Sequence, residues 1–91
     1  MRQRGDVLAR RIIDNNERSN IVGKRVKEAR KKAGFSQRKL SIKLELLAIY
    51  VCRGSISRIE SGARTVTDIE IDGISKVLNI SLDFLFGRAD F

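Results

Sequence analysis

The sequence predicts an all-α domain of five helices, and three observations carry that prediction. Apolar residues recur at helical spacing: Leu40, Leu44 and Leu47 fall at i, i+4 and i+7 on one face. Helix-starting residues stand ahead of the apolar stretches, namely Ser36, the T-x-x-E of Thr67 to Glu70, and Ser81. Glycines close them, with Gly34, Gly62 and Gly87 at the expected stops. At 91 residues, 42% of them hydrophobic, the chain makes one small domain whose core is only just large enough to fold unaided.

Residues 1–20 form a separate N-terminal segment. Asp6 is placed to cap a short helix in which Val7, Leu8, Ile12 and Ile13 make a narrow apolar strip, ending near Asn15 and Asn16. Such a helix is marginal in isolation. Three readings stay open: a mobile tail, a helix docking on the domain or a partner subunit, and a basic arm touching whatever the domain binds. The domain proper takes residues 21–87, and residues 88–91 are a C-terminal tail.

The first helix of the domain runs from Ile21 to Ala33, with Val22, Val26, Ala29 and Ala33 inward and a cationic face outward. Gly34 stops it and Phe35 anchors the core. The second opens at Ser36. The third spans Arg53 to Ser61, with Ile56 and Ile59 inward. Gly54 in its first turn costs about 1 kcal/mol relative to alanine. The faces these two helices leave to solvent carry Gln37, Arg38, Lys39, Arg53, Ser55, Ser57 and Arg58, all hydrogen-bond donors. Donors and cations on a protruding helix suit phosphates and base edges. The fourth helix follows Thr67 and buries Ile71, Ile74, Val77 and Leu78, although Gly73 weakens it. In the fifth, Leu82, Leu85 and one of Phe84 or Phe86 close the core.

Charge points the same way. The net charge is +8, but residues 24–64 alone hold twelve Lys or Arg against three acids, whereas residues 65–91 hold two bases against five acids. Cationic excess concentrated in residues 24–64, which include the second and third helices, favours a polyanion partner over a merely solvated surface.

Other classes lack their residues. Cys52 is the single cysteine, histidine is absent, and no carboxylates are clustered at ligand spacing, so no metal, no cofactor and no catalytic constellation is expected. Cys52 reads as a small, partly buried residue, with a redox-sensitive thiol as the less favoured reading. No apolar run approaches the ~20 residues of a membrane span, and the N-terminus has no signal-peptide core. The expected location is cytoplasmic, nucleoid-associated when bound to DNA. No separate effector or dimerisation domain is expected after the fifth helix.

Ser36-Gln37-x-x-Leu40, followed by Ile56-Ser57-Arg58-Ile59-Glu60-Ser61-Gly62, resembles the helix-turn-helix of the phage-repressor-like (Xre/Cro-type) DNA-binding domains. Arg30 to Phe35 upstream and Leu78 to Asp83 downstream fit the same pattern, so the resemblance covers roughly residues 21–87. One departure is plain. The family places a shorter stretch between the positions of Leu44 and Ile56 than the eleven residues found here, and the surplus falls around Glu45 to Ile49. The expectation is a second helix about one turn longer, then an extended link through Tyr50 and Val51. Leu46, Leu47 and Ile49 either cap an enlarged core near Ile69 and Ile71 or serve a subunit contact.

The resemblance implies a double-stranded DNA-binding transcriptional regulator, a repressor of a palindromic operator, acting as a homodimer. It implies a salt bridge from Arg30 to Glu60. Gln37 is expected to hold a phosphate at a helix N-terminus. Arg53, Ser55 and Arg58 are expected in the major groove, with Arg53 and Arg58 either on guanines or on phosphate alone. Arg38, Lys39, Ser57, Arg64 and Thr65 would flank them on the backbone, and Gly54 would let the helix backbone approach DNA closely. Cys52 takes the place of the usual Ser or Thr cap, and Tyr50 that of the usual turn glycine. Two rival readings stand beside this one: an antitoxin with a toxin partner, and a protein-interaction module that does not read DNA.

Overall fold

The computed structural model describes residues 20–90. These form five helices: α1 (Gly23–Lys32), α2 (Gln37–Glu45), α3 (Arg53–Ser61), α4 (Asp68–Leu78) and α5 (Leu82–Leu85). The expected helix from Asp6 and its alternatives lie outside the described residues.

Local chemistry sets most helix ends. Ser36 accepts the N–H of Lys39 at 3.0 Å, and Ser81 accepts that of Phe84 at 3.0 Å. Thr67 and Glu70 complete a reciprocal capping box at the start of α4. Gly34, Gly62 and Gly87 take left-handed backbone angles at the stops, and Asn79 does the same after α4. The cap of α1 differs from expectation. The helix begins two residues after Ile21, and Val22 offers it no side-chain cap. Asn20 supplies one instead, accepting the N–H of Gly23 at 2.7 Å. Its amide also donates to the carbonyls of Ile59 (3.1 Å) and Arg64 (2.7 Å). Asn20 is therefore tied to α1, to α3 and to the stretch after α3.

The core gathers Val22, Val26 and Ala29 of α1, Leu40 and Leu44 of α2, Ile56 and Ile59 of α3, Ile74 and Leu78 of α4, and Phe84 and Leu85 of α5. Ala33 and Leu82 were expected inward and are exposed, and Phe35 is half-buried. Of the two candidate aromatics, Phe84 closes the core while Phe86 stays on the surface.

The surplus between α2 and α3 is resolved in an unexpected way. α2 ends at Glu45, and Leu46 to Ala48 add a tightened turn, not a further α-helical one. The N–H groups of Leu47 and Ala48 bond three residues back, to Leu44 and Glu45 at 2.9 and 2.8 Å. Ala48 then adopts φ +62°, so the left-handed stop falls there and not at Tyr50. That conformation costs a non-glycine residue about 1 kcal/mol. A bond from Ile49 N–H to the Leu44 carbonyl at 3.0 Å offsets it. Ile49 then packs against the bare face of α4 at Gly73, where an added methyl would collide with its Cδ1. Gly73 thus makes room for the surplus turn. Leu47, expected in the core, is 46% exposed, as are Leu46 (74%) and Tyr50 (76%). Only Ile49 of the apolar surplus caps an enlarged core. Ser41 Oγ donates to the Val51 carbonyl at 2.6 Å and pins the link to α2.

Candidate nucleic-acid interface

The position of α3 follows from what grips its inner side. Ile56 and Ile59 are fully buried, and Gly23 lets α1 press against the Ile59 carbonyl, where any side chain would collide. Glu60, also buried, takes a bidentate ion pair from Arg30: Nε to Oε2 at 2.6 Å and Nη2 to Oε1 at 3.0 Å. The pair expected from the resemblance is present. Removing one partner of such a buried pair strands the other charge, at a cost of about 3–5 kcal/mol. Arg30 Nη1 also donates to the Phe35 carbonyl at 2.8 Å, which fixes the turn into α2.

Gln37 joins this network. Its amide donates to Glu60 Oε1 at 3.1 Å, so the group expected on phosphate is already engaged with α3. An amide carries two N–H donors, and one is left over. Glu60 thereby links α1, α2 and α3 through one carboxylate.

The outer side of α3 is left uncovered by the described residues. Arg53, Gly54, Ser57 and Arg58 are exposed and Ser55 is half-buried. Arg58 Nη2 donates to Ser55 Oγ at 3.2 Å, so these two expected base-reading residues are held together. On α2, Arg38 and Lys39 are exposed, and the Lys39 ammonium lies 4.6 Å from the centre of the Phe35 ring. Among the described residues, Arg38, Lys39, Arg53 and Arg58 have no carboxylate partner. Arg64 differs: it forms a two-pronged pair with Glu70 and donates to the Thr65 carbonyl. Thr65 is exposed beside it.

Cys52 is exposed rather than partly buried. It has the same extended backbone as the three capping residues but makes no side-chain cap. Its thiol titrates below the ordinary value, chiefly through the Ser55 hydroxyl and backbone, with Arg58 a lesser cause. Among the described residues no three potential metal-ligating side chains cluster, and no helix is long and apolar enough to cross a membrane.

Two residues of this region escaped sequence reasoning. Asn20 had a local signal, an Asn three residues before the glycine that it caps. Glu70 was legible as a capping residue, but nothing in the spacing announced its pairing with Arg64.

A helix-turn-helix family model matches residues 26–85. No curated protein and no solved structure matches the chain. The family match spans the gripped, outward-facing α3 and the capped α2 that precedes it. The chain therefore belongs to the helix-turn-helix family of phage-repressor-like (Xre/Cro) type, whose members are DNA-binding regulators.

Proposed function

We propose that the protein is a sequence-specific repressor that binds a palindromic operator as a homodimer in the cytoplasm. Arg53 and Arg58 reach base edges in the major groove with Ser55 between them, and Gly54 lets the first turn of α3 sit close. Arg38, Lys39, Ser57, Thr65 and the spare donor of Gln37 hold the phosphates on either side. Two copies read half-sites about one helical turn, ~34 Å, apart. One observation carries the reading. α3 is clamped on its inner side by buried apolar contacts and the Arg30–Glu60 pair, while its outer side shows two exposed arginines that no carboxylate of the described residues pairs with.

Selection from random duplexes tests it, using wild type and the Arg53→Ala/Arg58→Ala variant. An inverted repeat enriched by wild type alone supports the proposal. Enrichment without an inverted repeat would remove the dimer, and no binding at low salt would remove the DNA reading.

Exposed Leu46 and Tyr50 favour a second reading, in which this fold, as an antitoxin or an interaction module, engages another protein. Salt separates the two. Phosphate binding weakens with a log–log slope of about −0.9 for each phosphate neutralised, whereas an apolar contact is nearly insensitive.

A further inference from the structure

Of the cations that the resemblance placed on DNA, Arg64 is the one with a carboxylate partner among the described residues. Both prongs of its guanidinium are occupied. Nη1 donates to Glu70 Oε1 at 3.0 Å and to the Thr65 carbonyl at 2.6 Å, and Nη2 donates to Glu70 Oε2 at 2.9 Å. The two side chains are 26% and 13% exposed, so water screens them less than an ordinary surface pair. Glu70 is held in place independently. Its Oε1 accepts the Thr67 N–H at 3.0 Å, and its own N–H donates to Thr67 Oγ1 at 3.2 Å. Its carboxyl titrates below the ordinary range, with the Arg64 hydrogen bond as the largest cause. A two-pronged arginine–carboxylate pair has no net charge and has spent its best donors.

We infer that Glu70 is a positioning residue that withholds Arg64 from the DNA backbone and so limits the affinity of this interface. The inference rests on the DNA-binding reading above. Carboxylate and phosphate compete for the same fork. A phosphate that recruits Arg64 has to break the Glu70 pair, exchanging one anionic partner for another with little gain. Glutamine in place of Glu70 keeps the cap, because Gln serves at that position of the box. It removes the charge and releases the guanidinium.

The test uses the full chain on one fixed duplex across a salt series, comparing wild type, Glu70→Gln, Arg64→Ala and Asp72→Asn. Asp72 pairs with Lys76 on the exposed flank of α4 at 3.0 Å and controls for net charge. Glu70→Gln is expected to bind up to about eightfold tighter at 0.1 M salt, with a log–log slope steeper by about 0.9. Arg64→Ala and Asp72→Asn should keep the wild-type slope. An unchanged slope or weaker binding in Glu70→Gln overturns the inference, as does an equal gain in Asp72→Asn. A shallower slope in Arg64→Ala overturns it without relying on the Glu70 variant. If wild type itself fails to bind at low salt, the DNA reading falls and this inference with it. If wild type binds and these slopes disagree, only the role of Glu70 falls.

Discussion

Gly54 is the described glycine for which the fold gives no reason. Gly34, Gly62 and Gly87 have positive φ, and Gly23 and Gly73 are pressed against other elements. A methyl group at Gly54 would meet only Arg58 Nη1, at an ordinary 3.7 Å. Gly54→Ala is therefore expected to stabilise the free protein by about 0.5–1 kcal/mol, the helix-propensity gain. In a domain of this size that raises the midpoint of thermal unfolding by roughly 2–8 °C. Duplex binding should move the other way, because the methyl projects from the outer face between Arg53 and Ser55, where the proposed contact is closest. Melting curves and binding isotherms on one preparation read both quantities. A lower melting point would refute the claim of open space around Gly54. A higher melting point with unchanged affinity would refute the claim that the position is bare for DNA.

Cys52 has φ −71° and ψ 164°, nearly the angles at which Ser36 caps α2. Cys52→Ser should stabilise the fold by capping α3, seen as a higher urea midpoint at constant m-value; an unmoved midpoint would sink the idea. Arg30→Ala should lose about 3–5 kcal/mol, and the reversed pair Arg30→Glu/Glu60→Arg should be more stable than either single reversal in the same assay. Glu70 has its carboxyl pKa lowered by Arg64, so the pair stabilises the fold above the unfolded value and that contribution fades as pH falls below about 4.3. Urea unfolding of wild type and Glu70→Gln should therefore differ at pH 7 and draw together as pH falls below about 4.3.

The helix starts at Ser36, Thr67 and Ser81 were legible because a cap is a contract between residues three apart. The glycine stops were legible for the same reason. The Arg30–Glu60 pair spans thirty residues and came only through the family pattern. What stayed hidden depends on which elements meet. Gly73 looked like a flaw in α4 until Ile49 was found filling the space above it. Leu47 continued the apolar spacing of α2, yet the chain leaves the α-helical path at Glu45 and the spacing stops predicting a face. At the candidate site, the exposed donors on α2 and α3 were readable from helical phase. The engagement of Gln37 by Glu60 and of Arg64 by Glu70 was not, since a charge count cannot tell an available cation from a paired one.

The polar ties divide α3 into two sides with different duties. Glu60 is bonded to α1 and α2, the Ile59 carbonyl to Asn20, and the link before α3 to Ser41. All of these ties meet the inner side of the helix or its approaches. None of these ties uses Arg53, and the bonds of Arg58 to the Ser55 and Ser61 hydroxyls both stay within α3. The anchoring of α3 is thus separable from its outer donors. Substitutions at Arg53 or Arg58 should change binding while leaving the melting temperature near that of wild type. Substitutions at Glu60 or Asn20 should lower stability first. The surplus turn at Leu46–Ala48 keeps this division, because Ile49 returns it to α4 and Ser41 ties Val51 back to α2 before α3 begins.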